Sequence, residues 1–505
     1  MNQVIHVQRP SLLRSSILVL TTLLLTLSSN QALANSPMTN SIRAHDAEKP
    51  NVILVMADDQ GWGQTSYNNH PLLKTPNLDA MAANGLRFDR FYAAAPVCSP
   101  TRASVLTGRT NRRTGVESHG YALRLQEKTI AQAMQDAGYA TGHFGKWHLN
   151  GMRGPGVPIF ASDTHNPGSF GFQKWLSVTN FFDRDPVMSR AGEFEEFQGD
   201  SSEIIVDEAI KFIKANAQAN KPSFTVIWYG TPHSPFMAAE ADAKPFAHLD
   251  KNSQDQHGEL VAMDRSIGTL RKALRDAGIA DNTILWFTSD NGGLPKIKPN
   301  TVGGLRGFKG SVYEGGLRVP AIVEWPAKVK PRITKFPAVS MDIFPTIAEI
   351  VGLSDSSMLA KRDGMSLTKL FDQEITKRNK PIPFACLGKQ AVIDDNIKLV
   401  HSGAKNKQKK QFELYDLSSD PNESNNLIEK KPELAKRMKQ LMKEFDDSIE
   451  ASVAGKDYVS GKLKDENPEP RFWTEVPAYA PYFEKWKDRP EYGSWIKKKL
   501  KSSGK

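Results

Sequence analysis

The chain of 505 residues is 39% apolar and 24% charged, a composition typical of a globular protein with a large core. Its two cysteines, Cys98 and Cys386, are too few for a disulfide framework. The formal net charge of +10 favours anionic partners, but much of the excess lies in lysine runs near the C-terminus, so charge alone identifies no partner. The sequence has no repeat, heptad pattern, zinc-ligand spacing or nucleic-acid-binding motif, and we expect no nucleic-acid partner.

The first 34 residues have the pattern of a secretory signal peptide. Arg9 and Arg14 precede an apolar run at 17–27, and the sequence Ala-Leu-Ala at 32–34 resembles a cleavage site. The apolar run is short for a membrane span, and no cysteine directly follows the cleavage site as a lipid anchor. We therefore predict a signal peptide at 1–34 and a periplasmic or secreted protein without a membrane anchor.

Apolar runs typical of buried strands alternate with helical patterns up to about residue 375. The strand-like runs are Asn51–Met56 and those that end at 146–148, 231–233 and 289–291, and the helical patterns are 78–84, 129–137, 204–215 and 260–277. This alternation predicts an α/β fold whose mostly parallel sheet has helices on both faces. Ligands of such sheets bind beyond the carboxyl ends of the strands, where this sequence places its polar clusters.

The pattern changes after about residue 375. Short strand-like runs occur at 382–387, 391–393, 397–401 and 412–415, and a charged amphipathic helix follows at 432–445. This order predicts a small antiparallel sheet with a packed helix. We therefore predict a catalytic domain at 35–375 and a C-terminal α+β subdomain at 376–505 that ends in a basic tail.

The segment Cys98–Arg109 predicts a short helix with a cysteine at its N-terminus. Ser99 is a good N-cap, Pro100 suits the first helical position and Gly108 can close the helix. Backbone N–H groups and the helix dipole favour an anion at this end, and Arg102 adds positive charge. Cys98 is therefore a candidate nucleophile, and the alternative is a buried or disulfide-bonded cysteine.

Two pairs of oxygen donors follow strand-like runs. Asp58 and Asp59 follow the first run, and Asp290 and Asn291 follow the last. Each pair alone is typical of a solvated turn. Together they form a donor set without Cys or His, which suits a hard cation such as Ca²⁺ better than zinc.

Cationic and imidazole side chains lie at further strand ends. Lys146 and His148 are two residues apart in an extended setting and project to the same side, although a surface patch over a core tryptophan would have the same pattern. His233 lies in a stiff turn between two prolines, and Lys309 lies between two glycines.

The motif that begins at Cys98 resembles the signature of the formylglycine-dependent sulfatases of the alkaline phosphatase superfamily. Cys98, Pro100 and Arg102 match the signature, whereas Thr101 stands where serine is commonest. Gly145–His148 matches a second family signature, and 305–320 and 413–427 resemble further family segments.

The resemblance implies the alkaline phosphatase-like fold and a sulfatase activity. It implies that a formylglycine-generating maturation enzyme oxidises Cys98 to an aldehyde whose hydrate is the nucleophile. It also implies one divalent metal, usually calcium, and particular residue roles. The implied metal ligands are Asp58, Asp59, Asp290, Asn291 and residue 98; the implied catalytic residues are Arg102, Lys146 and Lys309 around the sulfate, His148 as base, and His233 with Lys309 as proton donor.

Two loops are rich in the aromatic and polar groups that bind sugars. The predicted substrate residues are His119 from the loop 111–121, and His165, Asn180 and Arg184 from the loop 163–185. The alternative is ordinary packing aromatics and solvated charges. With export, the loops favour a sulfated polysaccharide or oligosaccharide, such as an algal galactan, and a role in carbohydrate degradation.

Two alternatives to a sulfatase remain open from the sequence. The first is a phosphonate or phosphate ester hydrolase of the same superfamily. The second is a non-catalytic protein that binds anions or glycans, in which Cys98 is never converted.

Overall fold

A computed structural model of the chain describes residues 49–403, 411–464 and 467–502. The predicted signal peptide, 1–34, lies outside the described residues. Within them, no helix combines the length and the apolar character needed to cross a membrane.

A large mixed sheet of 11 strands forms the centre of the molecule. The strands of this sheet are β1 (Asn51–Ala57), β2 (Leu86–Tyr92), β3 (Ala140–Lys146), β5 (Lys174–Val178), β6 (Val187–Arg190), β7 (Glu193–Glu196), β8 (Ser223–Trp228), β9 (Thr283–Ser289), β10 (Arg318–Glu324), β11 (Arg332–Thr334) and β12 (Ala338–Val339), and β4 (Met152–Arg153) lies outside it. Their order is β11-β2-β10-β9-β1-β8-β3-β5-β6-β7, with β12 beside β2. The central strands β9, β1, β8, β3 and β5 are parallel, so their carboxyl ends share one edge.

Helices cover both faces of this sheet. The helices are α1 (Pro76–Asn84), α2 (Cys98–Thr107), α3 (Ile130–Asp136), α4 (Ser201–Gln218), α5 (Glu240–Ala243), α6 (Lys251–Asp276), α7 (Glu314–Leu317), α8 (Ile343–Val351) and α9 (Thr368–Asp372). Successive residues of β1 point to opposite faces, because side chains alternate along a strand. Val52 and Leu54 pack with α2, α3 and α8, whereas Ile53 and Val55 pack with α1, α4 and α6.

The predicted α/β class is confirmed, with two differences in detail. Strands β2, β10, β6 and β7 make antiparallel pairs toward the two edges of the sheet. The sequence placed the N-cap of α2 at Ser99, but the helix begins at Cys98 and its N-cap residue is Val97. Ser99 Oγ instead accepts a hydrogen bond from the Gly120 N–H, and Gly108 closes the helix as predicted.

A second, antiparallel sheet has the order β13 (Ile382–Cys386), β14 (Lys389–Asp394), β15 (Ile397–His401) and β16 (Phe412–Asp416). Helix α10 (Pro432–Val453) packs on it through Met438 and Met442, as the sequence pattern predicted. The first predicted strand extended to Leu387, but that residue belongs to a turn, with φ of 54°. The domain boundary at 375/376 stays a prediction.

The last part of the predicted C-terminal subdomain forms an aromatic cluster that packs against segments of the large sheet's half. Their elements are β17 (Arg471–Phe472), α11 (Phe483–Trp486) and α12 (Gly493–Ser502), and β17 pairs with β4. Trp473, Tyr479 and Trp486 pack with Met152 and Val157.

A buried ion cluster joins the two sheets. Lys398 Nζ lies 2.9 Å from Glu314 Oε1 and 2.9 Å from Glu423 Oε1, and all three side chains are at most 1% exposed. Tyr92 of the large sheet donates a hydrogen bond to Glu314 at 3.1 Å. Because buried charges are costly without partners, each member depends on the others.

We expect Lys398→Met to lower the free energy of unfolding by about 3 kcal/mol, because two buried carboxylates lose their cation. Thermal and urea unfolding measure the change. Lys443→Met is the control, because its pair with Asp447 is exposed and screened by solvent, so its loss should change the stability little. Equal melting temperatures of the two variants would contradict the assigned role of this cluster.

Candidate active site

The carboxyl ends of four central strands bring the predicted site residues together. Asp58 and Asp59 follow β1, Asp290 and Asn291 follow β9, Lys146 ends β3, and His233 lies beyond β8. Backbone hydrogen bonds connect these ends, from the Asp58 N–H to the Thr231 carbonyl at 2.9 Å and from the Asp290 N–H to the Ala57 carbonyl at 3.1 Å.

Each of the three carboxylates contacts a different cation. Lys146 Nζ is 2.6 Å from Asp58 Oδ2, Lys309 Nζ is 2.7 Å from Asp59 Oδ2, and the Arg102 guanidinium is 2.7 Å from Asp290 Oδ2. The carboxylates, Arg102 and Lys146 are fully buried, and Lys309 is 14% exposed. The pairing offsets the cost of burying these charges.

Two buried oxygens in this cluster lack a hydrogen-bond donor among the described residues, namely Asp58 Oδ1 and Asn291 Oδ1. Ligand atoms of Asp58, Cys98 and Asp290 all lie within 4.8 Å of one another. Burial raises the pKa of Asp290 to about 7, with a further increase from Asp58 and a decrease from Arg102. Unsatisfied, buried oxygens in this arrangement fit a hard divalent cation.

Cys98 begins helix α2 and is 1% exposed. Burial raises the pKa of its thiol, but the charges of Lys146 and Lys309 act in the opposite direction and hold the pKa well below its ordinary value. The position therefore favours an oxygen or sulfur atom with negative charge.

Two histidines flank this position. Burial, followed by the charge of Lys146, lowers the pKa of His148 to about 3, and its Nδ1 has no hydrogen-bond partner among the described residues. Burial and Lys309 lower the pKa of His233 to about 3. His233 Nε2 is 3.7 Å from Asp59 Oδ2, and its Nδ1 is 2.5 Å from the Ser234 carbonyl. Nδ1 therefore donates to this carbonyl, which leaves Nε2 directed to the site.

The segment with Lys309 is held by close backbone contacts. The Lys309 N–H donates to the Gly293 carbonyl at 3.0 Å, and the Gly310 N–H donates to the Pro96 carbonyl at 2.8 Å. A Cβ on Gly292 would lie 1.9 Å from the Gly315 carbonyl oxygen. Glycine at 292 therefore permits the close approach of the segment around Gly315, which helps to place Lys309 beside Asp59.

The four predicted substrate residues differ in burial and in their distance from Cys98. His119 Nδ1 lies 3.5 Å from Cys98 Sγ, so this residue belongs to the pocket wall. His165 is 5% exposed, and Asn180 is 6% exposed and donates to the Gly154 carbonyl at 2.7 Å. Arg184 is half-buried beside Asp200. Burial raises the pKa of Asp200, and the charge of Arg184 acts in the opposite direction.

Other members of the two loops are structural. Arg113 is 3% exposed and binds Asp363 at 2.9 Å, and Trp175 belongs to the core. Phe181 stacks on His233 with ring centroids 4.5 Å apart, so it orients that imidazole.

Sequence reasoning missed Trp228 at the end of β8. The Arg102 guanidinium carbon lies over the Trp228 ring, 5.0 Å from its centroid, in a cation–π contact that holds the Arg102 side chain. A tryptophan within a continuous apolar run gives no signal beyond core packing, so the contact could not be found from the sequence.

Comparisons with known proteins agree with this geometry. The family model "Sulfatase" matches residues 50–353, more than half of the chain, and the model "N-sulphoglucosamine sulphohydrolase, C-terminal" matches residues 307–451. The chain therefore belongs to the sulfatase family, and the resemblance found in the sequence is confirmed.

Three similar proteins illustrate the relationship. Human N-acetylgalactosamine-6-sulfatase is 32% identical over 63% of this chain, and the match spans 65% of that protein's length. The structure of Ps i-CgsB in complex with k-i-k-neocarrahexaose has 24% identity and a TM-score of 0.71, and the match covers 89% of this chain and 100% of that one. The phosphonate monoester hydrolase of Agrobacterium radiobacter has 20% identity and a TM-score of 0.55, with 80% and 96% of the two chains covered.

We expect Gly145→Ala to disrupt the site, because a Cβ there would lie 2.0 Å from the Trp228 carbonyl oxygen, directly before Lys146. The loss of stability should be about 3 kcal/mol or more, measured by thermal unfolding. Gly138→Ala is the control, because Gly138 also has positive φ, of 90°, but nothing within 4 Å of the added Cβ. A loss no larger than that of the control would contradict the close contact.

Proposed function

We propose that the protein hydrolyses sulfate monoesters of a sulfated polysaccharide or oligosaccharide. The observation that carries this proposal is the cluster of Cys98 with Asp58 and Asp290, next to Asp59, in which each of the three carboxylates is paired with its own cation. The family relationship supports the same reaction. A sulfate monoester is an anion, and such a pocket offers cationic groups where negative charge develops during hydrolysis.

One divalent cation, Ca²⁺, completes the site in this proposal. Asp58, Asp59, Asp290 and Asn291 would hold it, with residue 98 as a further ligand. The three carboxylates are already neutralised by Arg102, Lys146 and Lys309. The ion would add net positive charge, which attracts a sulfate group and stabilises negative oxygens.

The nucleophile in this proposal is formylglycine, made from Cys98 by a maturation enzyme. Its hydrate supplies two hydroxyl groups on one carbon. The oxygen of one, in its ionised form, would bond to sulfur while the bond from sulfur to the alcohol oxygen breaks, and loss of the proton of the other would re-form the aldehyde while the carbon–oxygen bond to sulfate breaks. Lys146 and Lys309 are both near enough to residue 98 to lower the pKa of its thiol, and each is held by a carboxylate of the site, so both can bind the sulfate oxygens. Arg102 holds Asp290 in place.

His148, Lys309 and His233 lie where the two proton transfers of this proposal would occur. His148 is buried next to residue 98 with an unpartnered Nδ1 and is placed to accept the proton of the second hydroxyl. Lys309 and His233 both approach Asp59 at the outer side of the pocket, where the alcohol would leave. Lys309 would protonate the alcohol oxygen, and the neutral His233, whose Nε2 can accept a hydrogen bond, would orient the departing hydroxyl group. Phe181 keeps the His233 ring in this orientation.

A sulfated carbohydrate is the substrate class that the surroundings support best. One relative is named as an N-acetylgalactosamine-6-sulfatase, and the structure of Ps i-CgsB contains k-i-k-neocarrahexaose. The predicted export would place the protein where sulfated polymers occur. Of the predicted substrate residues, His119 at the pocket wall and Arg184 are only partly buried, and they would contact the sugar. His165 and Asn180 are buried and would support the loop.

Conversion of Cys98 is tested by mass analysis of the tryptic peptide 91–102 from protein produced with a maturation enzyme. We expect the mass of the aldehyde form and hydrolysis of an aryl sulfate, and we expect Cys98→Ala to lose activity by at least about 1,000-fold. Material from a host without the enzyme is the control. A fully converted but inactive protein would contradict the proposal, and unconverted cysteine after coexpression would favour the anion-binding alternative.

The phosphonate ester alternative is tested by rates on paired substrates. The fold alone is shared with the phosphonate monoester hydrolase, so it does not separate the two reactions. We expect the kcat/KM for an aryl sulfate to exceed that for the matching aryl phosphonate at least about 100-fold. Both substrates are monoanions, but the phosphonate has a carbon substituent where the sulfate has a third terminal oxygen that the cations of the site can bind. A reversed ratio would contradict the sulfatase proposal.

A further inference from the structure

The turn between β13 and β14 carries a residue that its backbone disfavours. Leu387 and Gly388 connect the paired residues Cys386 and Lys389, and both turn residues have positive φ, of 54° and 73°. Such two-residue turns favour Asn, Asp or Gly at the first position, because the left-handed backbone crowds a larger side chain. Leu387 is also 49% exposed, so it is not placed there by burial in the core.

The two strands that flank this turn contact the segments beside the active site. Cys386 Sγ donates a hydrogen bond to the Glu117 carbonyl at 3.5 Å, and Lys389 Nζ donates to the Gly310 carbonyl at 2.5 Å. These contacts lie on either side of Leu387. The turn is therefore held from both sides.

Both contacted segments lead directly to the catalytic residues. Glu117 is two residues before His119, whose Nδ1 is 3.5 Å from Cys98 Sγ. Gly310 follows Lys309, and its N–H donates to the Pro96 carbonyl two residues before Cys98. The turn therefore lies at the pocket rim between the His119 wall and the Lys309 segment.

The hairpin that carries the turn packs against the large sheet. Phe384 of β13 contacts Tyr92 of the large sheet, with ring centroids 6.0 Å apart. Cys386 itself is 4% exposed. An exposed leucine in a disfavoured conformation, on a turn that contacts hold from both sides, is a local conflict of the kind that occurs at functional sites.

We propose that Leu387 forms the apolar wall of a saccharide subsite and contacts the apolar face of the sugar ring that carries the sulfate. This inference rests on the proposed function, because the sugar must be held by its sulfate. Sugar rings expose C–H groups on one face, and binding sites cover such faces with apolar side chains. The cationic pocket would hold the sulfate group, and Leu387 would discriminate between the sugars attached to it.

The experiment is a competition assay with matured Leu387→Asn, since asparagine suits the turn. Hydrolysis of 4-methylumbelliferyl sulfate is the reporter, and sulfated galactan and glycosaminoglycan oligosaccharides are the competitors. We expect the inhibition constant of the best oligosaccharide to rise about tenfold. The inhibition constant of inorganic sulfate should not rise, because sulfate fills only the anion pocket. The melting temperature should not fall. Val459→Asn, a fully exposed apolar residue outside the hairpin, is the control and should change nothing.

An unchanged oligosaccharide inhibition constant would overturn the inference, as would a parallel rise for inorganic sulfate. Failure of all the oligosaccharides to compete with the reporter on the wild-type protein would also overturn it. Failure of the proposed function is seen separately, as absence of aryl sulfate hydrolysis by the matured wild-type protein.

Discussion

The site depends on the pairing of three buried carboxylates with three cations. Asp58 with Lys146, Asp59 with Lys309, and Asp290 with Arg102 join five separate segments of the chain at one edge of the large sheet. Removal of any one partner would leave a buried charge uncompensated, at a cost of about 3–5 kcal/mol. The strand ends, the close glycine contacts and helix α2 hold the six side chains where these pairs can form.

The same pairing explains how anionic ligands can enter a site rich in carboxylates. The three pairs are neutral as a set, so a divalent cation adds two positive charges rather than merely cancelling the aspartates. Asp58 Oδ1 and Asn291 Oδ1 remain without protein donors among the described residues and can contact that cation. The second sheet takes part as well, because its hairpin contacts Gly310 and its Lys398 binds Glu314, five residues after Lys309.

Much of this arrangement could be predicted from the sequence, because parallel strands place their following loops at one edge. That rule gathered Asp58, Asp290, Lys146 and His233 from distant segments. It could not predict which cation pairs with which carboxylate, since that depends on side-chain directions set by packing. The helical pattern in the sequence predicts that α6 starts at Leu260, but the helix begins at Lys251 after an Asp250 cap. The first turns were missed because they are polar and lack an apolar period. Loop composition predicts His165 and Asn180 as substrate residues, but it does not report burial, and both side chains are buried.

A crystal structure of the matured protein grown with calcium tests the central claim most directly. The account predicts one calcium ion bound by Asp58, Asp59, Asp290 and Asn291 and in contact with the aldehyde hydrate at position 98, with the three cation pairs retained. Four ligand residues that lie apart from position 98, with no ion shared between them, would contradict it.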